Sequence, residues 1–324
     1  MAFAPIILPF GRRGLCAAIA LPALVWAGCG KTPTSPPPPP PTVVLACPAP
    51  VQTGSPGGAP VAVTYAPPVA SGGMAPIATT CTPPSGGLFT AGTTPVTCTA
   101  RDAAGRSATC GFGVTVTARP LLAQTRFLAF GDSLTEGKLS VTLALLIDAP
   151  AHAYTTKLAA ALRDAYPDQP QITVINEGLA GERASDSLNR LNGALSTHRP
   201  EAVLLMHGVN DLNAIETGIT QKTVDAVEEL IKAARSRGLT VFVATLPPLS
   251  PPKASCPECV EPFNERLRGV AAAKGAVLVE VYAAWGNRPG LMGADGIHPT
   301  EAGYEVIAGA FFEAIRKALE SPLP

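Results

Sequence analysis

Ser133, Asp295 and His298 are the residue types from which an acyl-transfer site is built: a hydroxyl, a carboxylate and, three residues on, an imidazole. A serine hydroxyl is a weak nucleophile until a base takes its proton, a third group orients that base, and donors await the oxyanion. Ser133 sits in "FLAFGDSLTEG", residues 127–137, where an apolar strand stops abruptly at Gly-Asp-Ser. Asp295 and His298 share "ADGIHPTEAGY", a short turn braced by Pro299. In this reading His298 takes the Ser133 proton and later returns it to a leaving alcohol. Asp295 fixes the imidazole tautomer and stabilises the imidazolium. Two other stretches bring polar groups to the same rim. "NEGLAGERASD" carries Gly181, is glycine-rich and opens a helix, so its backbone N–H groups are exposed and positively polarised. "HGVNDLN" offers the amide of Asn210.

Each neighbouring polar residue also has a plainer role. His152 and His198 stand in loop or helix-end contexts and are expected in solvent. His207, at a strand end, reads as a hydrogen-bonded core histidine, Asp132 and Asp211 as braces of their loops, and Gly178 as a turn glycine. Once the triad is assigned, no His/Asp/Glu cluster of ligand spacing remains, so neither metal nor cofactor is expected. Cys256 and Cys259 form a single Cys-x-x-Cys, too few for structural zinc, and read as a local disulfide.

The elements that must position these groups follow from periodicity. Apolar strands are predicted at "RFLAF", "QITVIN", "AVLLMHG", "TVFVATL" and "AVLVEVY", with helix-length amphipathic stretches between them. In the last helix Tyr304, Ile307, Ala308, Phe311 and Ile315 recur at helical spacing and give one buried face. Such alternation predicts an α/β fold, a parallel sheet with helices on both faces, with ligands bound beyond the carboxyl ends of the strands. The candidate residues all follow such strand ends. Ser133 is not in a Gly-x-Ser-x-Gly elbow, which disfavours the α/β-hydrolase fold.

The four blocks "FGDSLTEG", "NEGLAGE", "GVND" and "DGIHP", in this order across about 170 residues, resemble the SGNH, or GDSL, hydrolase family. The resemblance implies a three-layer α/β/α sandwich with a flavodoxin-like parallel sheet. It implies Ser133 as nucleophile, His298 as base, Asp295 as its orienting acid, and the Ser133 N–H, the Gly181 N–H and the Asn210 amide as the oxyanion hole. Two stretches depart from familiar members. "KLSVTLALLIDAPAH" is long and apolar; its run Val141–Ile147 is expected either to line an acyl site or to add a buried helical turn. "PPLSPPKASCPECVEP" is expected as a rigid loop near the catalytic rim.

The rest of the chain differs in composition. Length allows about two domains plus tails, and much of the excess among 35 prolines precedes Leu121. Arg12 and Arg13 lead into the apolar run "GLCAAIALPALVWAG" and then Cys29, which reads as an export signal too short to span a bilayer. "AGC" resembles a bacterial lipobox with Trp26 in the usual leucine position, implying lipidation of Cys29. "KTPTSPPPPPPT" is a stiff polyproline II spacer. Residues 43–118 are nearly uncharged, with short alternating runs between Gly/Pro turns, and predict a small all-β sandwich. "CTARDAAGRSATC" reads as a hairpin that sets Cys98 opposite Cys110, while the pairing among Cys47, Cys81, Cys98 and Cys110 has three possibilities. "ACPAP", "CTPPSGG" and "GTTPVTCTARDAAGRSATC" make this segment similar to the hyalin repeat (HYR) family, an immunoglobulin-like module, which implies a spacer or a binder of a cell-surface ligand.

The expected organisation is therefore a lipoprotein-type signal at 1–28, a Pro-rich linker at 29–42, the β-sandwich at 43–118, a linker at 119–125 and the hydrolase domain at 126–321. The expected function is an exported, lipid-anchored serine esterase at the outer membrane or cell surface, acting on small-molecule, lipid or carbohydrate esters. A carbohydrate O-deacetylase and a surface adhesion protein with a vestigial hydrolase are the rivals. The 24 Lys+Arg balance 24 Asp+Glu, so no nucleic-acid partner is expected.

Overall fold

The computed structural model describes residues 41–214 and 219–323. The signal-like segment, Cys29 and all but the last residue of the proline run lie outside the described residues.

The N-terminal module is all β: β1 (Val43–Ala46), β2 (Val51–Pro56), β3 (Val61–Ala62), β4 (Val69–Gly72), β5 (Ala78–Thr82), β6 (Leu88–Phe89), β7 (Gly92–Arg101) and β8 (Ser107–Arg119). Its main sheet runs β2-β8-β7-β5, with two-stranded pairs β1-β4 and β3-β6. Leu45, Val63, Phe89, Val96, Phe112, Val114 and Val116 form its core, supplied by the strand alternation that the sequence shows. Cys98 does face Cys110 in the β7–β8 register, and it also faces Cys81 across β5–β7. The disulfides are Cys81–Cys98 and Cys47–Cys110.

The second module opens with β9 (Arg126–Gly131), the single turn α1 (Ser133–Glu136) and a hairpin of β10 (Lys138–Ser140) and β11 (Leu146–Asp148). Next come α2 (Tyr154–Ala165), β12 (Thr173–Gly178), α3 (Leu188–His198), β13 (Ala202–Met206), α4 (Val209–Leu212) and α5 (Ile219–Arg235). The chain continues through β14 (Thr240–Ala244), α6 (Val260–Lys274), β15 (Val277–Val279), α7 (Val281–Trp285) and α8 (Glu301–Leu319). All pairs of the five-stranded sheet β12-β9-β13-β14-β15 are parallel. Counting only these strands, the spatial order is 2-1-3-4-5, the flavodoxin-like order, whose crevice opens where the connections reverse, between β9 and β13.

Helices cover both faces: α2, α7 and α8 pack together on one, and α3, α5 and α6 on the other. The central strands are apolar throughout because both faces are covered; Phe127, Leu128, Ala129 and Phe130 of β9 and Leu204 and Met206 of β13 are fully buried. The face predicted for the last helix is the buried one, with Tyr304, Ile307, Phe311 and Ile315 wholly enclosed. Each such large side chain contributes about 1.5–3 kcal/mol of burial, which makes the sheet a rigid base for the loops at its carboxyl edge.

The run Val141–Ile147 is neither a helical turn nor buried. It forms the tip and return strand of the β10–β11 hairpin, and Val141, Leu143, Leu145, Leu146 and Ile147 are all exposed. Tyr304 anchors the hairpin base by donating its hydroxyl to the Lys138 carbonyl at 2.7 Å. The strand predicted at "AVLVEVY" ends at Val279, and its last residues turn into α7.

Candidate active site

Ser133 begins α1 directly after β9. Asp132 caps that turn: its Oδ1 accepts the Leu134 N–H at 3.0 Å. The Ser133 N–H, first of the turn, has no partner within it. Gly131 cannot carry a side chain, since a Cβ there would lie 2.0 Å from the Met206 carbonyl oxygen. The close approach of β9 to β13 that this permits sets the nucleophile turn beside the residues following β13.

Asp295 and His298 lie between α7 and α8, where Thr300 caps α8 by accepting the Gly303 N–H. Asp295 is fully buried; its Oδ1 accepts the N–H groups of Ile297 and His298, both at 3.0 Å, and its Oδ2 lies 2.7 Å from His298 Nδ1. Burial pushes the Asp295 carboxyl up, but these hydrogen bonds and the neighbouring imidazole outweigh it and hold the group below the ordinary value. His298 Nε2 is 2.8 Å from Ser133 Oγ. With Nδ1–H donated to the carboxylate, Nε2 is left as acceptor for the hydroxyl proton.

Two loops brace this turn. The Ser140 hydroxyl of the hairpin accepts the Asp295 N–H at 3.0 Å. The proline-rich loop after β14 does lie at the rim: Ser250 N–H bonds to the Gly296 carbonyl at 2.9 Å and Lys253 N–H to the Asp295 carbonyl at 3.1 Å. Its Cys256 and Cys259 are disulfide-bonded.

The oxyanion candidates come from the other side. Gly181, in the loop after β12, adopts φ +78°, with open space where a side chain would point. One hydrogen of the Asn210 amide is donated to the Glu182 carbonyl at 2.8 Å, which fixes the amide and leaves its second hydrogen for a ligand. Ser133, Gly181, Asn210 and His298 all line one cavity of about 350 Å³, together with Lys138, Leu146, Asp148 and Ala180. All five residues singled out from the sequence are thus assembled, with Asp295 directly behind His298. A larger groove of about 890 Å³ runs along α7 and α8, but it holds no nucleophile–base pair and is not this site.

The remaining expectations resolve individually. Asp211 does brace a loop, accepting the N–H groups of Ala184 and Ser185. Gly178 is not a turn glycine but the last residue of β12, where the close approach of α1 leaves no room for a side chain: a Cβ would lie 2.0 Å from the Glu136 nitrogen. His152 and His198 are partly exposed, and each meets a carboxylate, Glu301 at 2.9 Å and Glu177 at 2.7 Å. His207 is buried and hydrogen-bonded. Sequence reasoning missed the polar wall formed by Lys138, which bonds Asp148 and lies 3.1 Å from Glu136. The bonds to Asp148 and Glu136 raise the Lys138 pKa. Only the apolar run between Lys138 and Asp148, read as a hairpin, could have brought them together. Among the described residues no group of three His, Cys, Asp or Glu side chains is placed to hold a metal ion.

The sequence model of the GDSL-like lipase/acylhydrolase family matches residues 129–306, more than half of the chain, and that of the HYR domain matches residues 38–116. The chain belongs to the GDSL-like lipase/acylhydrolase family. Esterase TesA from Pseudomonas aeruginosa is 28% identical over 131 residues, covering 40% of this chain and 62% of TesA, so the chain spans less than two thirds of that relative. The inhibitor-bound M. smegmatis aryl esterase is 26% identical with a TM-score of 0.51, covering 60% of this chain and 100% of that one. A carbohydrate acetylesterase from Sinorhizobium meliloti shares the fold at 21% identity and a TM-score of 0.51, over 59% of this chain and 98% of its own.

Proposed function

We propose that this protein is an esterase that hydrolyses carboxylic esters through an acyl-enzyme. The observation that carries the reading is one imidazole bonded on both sides, 2.8 Å to the Ser133 hydroxyl and 2.7 Å to a buried carboxylate, in the wall of a cavity that Gly181 and Asn210 also line. Ser133 Oγ attacks the ester carbonyl carbon as its proton passes to His298 Nε2. The tetrahedral oxyanion is met by the Ser133 and Gly181 N–H groups and the Asn210 amide. The C–O bond to the alcohol then breaks, and His298 gives its proton to the leaving oxygen. Water repeats the sequence to release the acid and restore Ser133.

The acyl group lies against the β10–β11 hairpin. Leu146 lines the cavity, and the neighbouring hairpin aliphatics extend from it without a charge between Leu139 and Ile147. This supports acyl chains of roughly four to eight carbons over acetate, at about 0.8 kcal/mol for each methylene buried. A carbohydrate deacetylase is the competing reading, and acetate as the best substrate would favour it. Export and anchoring through Cys29 complete the proposal, supported by the apolar run before that cysteine and by three disulfides, which persist in oxidising compartments. The HYR module then serves as a spacer or binds a cell-surface ligand.

The test is a panel of p-nitrophenyl esters from acetate to palmitate, with wild-type protein and Ser133→Ala. The variant is expected to fold and to lose ester turnover. Full turnover by Ser133→Ala would sink the mechanism.

A further inference from the structure

His207 follows β13, is 2% exposed, and reaches both halves of the catalytic rim at once. Its Nδ1 lies 3.3 Å from Asp132 Oδ2, and its Nε2 lies 3.2 Å from Glu182 Oε2. Asp132 immediately precedes the nucleophile and caps its turn. Glu182 immediately follows Gly181, and its carbonyl holds the Asn210 amide. Behind Glu182 stands Arg190 of α3, which pairs with the Glu182 carboxylate, donates to the carbonyls of Gly131 and Glu177, and lies 4.0 Å over the Phe130 ring. The charged groups facing His207 are therefore Asp132 from the β9 turn and Glu182 from the loop after β12, with Arg190 reaching it through Glu182. Phe130 packs edge-on to the imidazole at 5.9 Å and adds no charge.

The ring has one donor too few when neutral. The Gly208 N–H points at Nδ1 from 3.0 Å. A neutral imidazole with its proton on Nε2 serves Gly208 and Glu182 but sets a lone pair 3.3 Å from Asp132 Oδ2, a buried oxygen with no hydrogen-bond partner, while one with its proton on Nδ1 turns its lone pair on the Glu182 carboxylate instead. An imidazolium sets positive charge against both carboxylates, through a hydrogen bond to Glu182 and an ion-pair contact with Asp132, and leaves only the Gly208 amide without its acceptor. A buried carboxylate oxygen without a proton donor costs more than an amide without an acceptor, so the charged form is the one that the surroundings select. Burial alone pushes the imidazole pKa down, but the hydrogen bonds and charges of Asp132 and Glu182 outweigh it and raise the value to about 9. For Glu182, burial pushes up, and the bonds to Arg190 and His207 hold the carboxyl down at about 2.

We propose that His207 is a positioning residue: as an imidazolium it ties Asp132 of the nucleophile turn to Glu182 of the oxyanion loop, and loss of its proton releases Asp132 and loosens Ser133 against Gly181. The inference rests on Ser133 acting as nucleophile. His207 itself does not touch the reacting atoms; it adds a charged link to the bonds that already join the two loops, Leu179 N–H to the Gly131 carbonyl and Ala180 N–H to the Glu136 carboxylate. The folded value lies above the ordinary 6.5, so the tie is complete below that pH and is lost as pH rises through about 9. This gives kcat an alkaline fall that His298 cannot cause, because the base works when uncharged.

Two measurements test it. The first follows the histidine ring ¹⁵N shifts of the wild-type protein against pH, with His207 assigned by its absence from His207→Gln. The ring is expected to carry both protons at neutral pH and to lose one near pH 9; a neutral ring at pH 7 overturns the proposal without recourse to any variant's activity. The second measures kcat and KM for one p-nitrophenyl ester across the alkaline range. Wild-type kcat should fall through about pH 9 at constant KM. His207→Gln should lose on the order of 10–100-fold in kcat at neutral pH, the scale expected when reacting groups shift by up to about an ångström, and should show no alkaline fall. A variant with wild-type kcat and the same alkaline fall overturns the proposal. Turnover by Ser133→Ala would instead remove the nucleophile, so the two failures are distinguishable.

Discussion

Replacing Asp295 by asparagine separates the orientation of the base from the stability of its loop. Asp295 Oδ1 accepts two backbone N–H groups, from Ile297 and His298, while Oδ2 meets His298 Nδ1. In Asp295→Asn the amide oxygen must stay where those two N–H groups donate, since the reverse orientation would aim an NH₂ at two donors. The NH₂ therefore faces Nδ1, which becomes an acceptor, and the imidazole proton moves to Nε2. Nε2–H then points at Ser133 Oγ and cannot take its proton. The same tautomer inversion in the protease triad costs about 10⁴ in kcat, or roughly 5.4 kcal/mol of barrier at 1.36 kcal/mol per tenfold. KM should hardly move, because Asp295 does not line the cavity. The assay is steady-state hydrolysis of p-nitrophenyl butyrate near neutral pH, with thermal unfolding on the same samples. Asp295→Ala serves as a contrast: it also strips the acceptor from two buried N–H groups, at about 1–3 kcal/mol for each group left unsatisfied, and should lower Tm where Asp295→Asn does not. An asparagine variant within tenfold of wild-type kcat, at wild-type Tm, would refute the assignment of His298 and Asp295.

The other predictions address separate parts of the machinery. Asn210→Ala should lower kcat by about 10²–10³ with little change in KM, the usual loss for one oxyanion donor; an unchanged kcat would remove Asn210 from the oxyanion hole. Leu146→Ser should flatten the preference for butyrate to octanoate esters while leaving acetate turnover intact. Leu143→Ser, at a residue that is exposed and outside the cavity wall, should do so less; equal chain-length profiles for wild type and Leu146→Ser would show the hairpin to be no acyl surface. Cys29→Ser should abolish incorporation of labelled palmitate and release the protein from membranes, and a mature N-terminus mapped elsewhere by mass spectrometry would contradict anchoring at that cysteine.

That the candidate residues would come together was legible from the sequence, because acyl transfer restricts residue types and a parallel sheet restricts where they can stand. Ser133, Gly181, Asn210 and His298 lie far apart in the chain, yet every βα unit delivers its loop to the same edge, so strand ends recognised one at a time already share a rim. The hairpin was less legible. Seven apolar or small residues between Ser140 and Asp148 fit a strand return or a buried helical turn equally well, since a short apolar run has no decisive period. Disulfide pairing was open for a related reason. Cys81, Cys98 and Cys110 fall in one row across β5, β7 and β8, and register states which cysteines are opposite without stating which are bonded; the fourth, Cys47, follows β1.

His207 marks the limit most clearly. Its own surroundings in sequence, an apolar strand followed by Gly208, describe a core histidine, and burial agrees. Its charge state is decided by Asp132, 75 residues earlier, and Glu182, 25 residues earlier, neither of which looks unusual beside a catalytic residue. Only the 2-1-3-4-5 strand order sets β9 between β12 and β13 and so brings both acids to one ring. The nucleophile turn and the oxyanion loop are then held by a proton as well as by backbone. Sheet geometry fixes where each loop begins; the last ångström between Ser133 and Gly181 is left to links such as this one, the Leu179 N–H bond to the Gly131 carbonyl and the Ala180 N–H bond to Glu136.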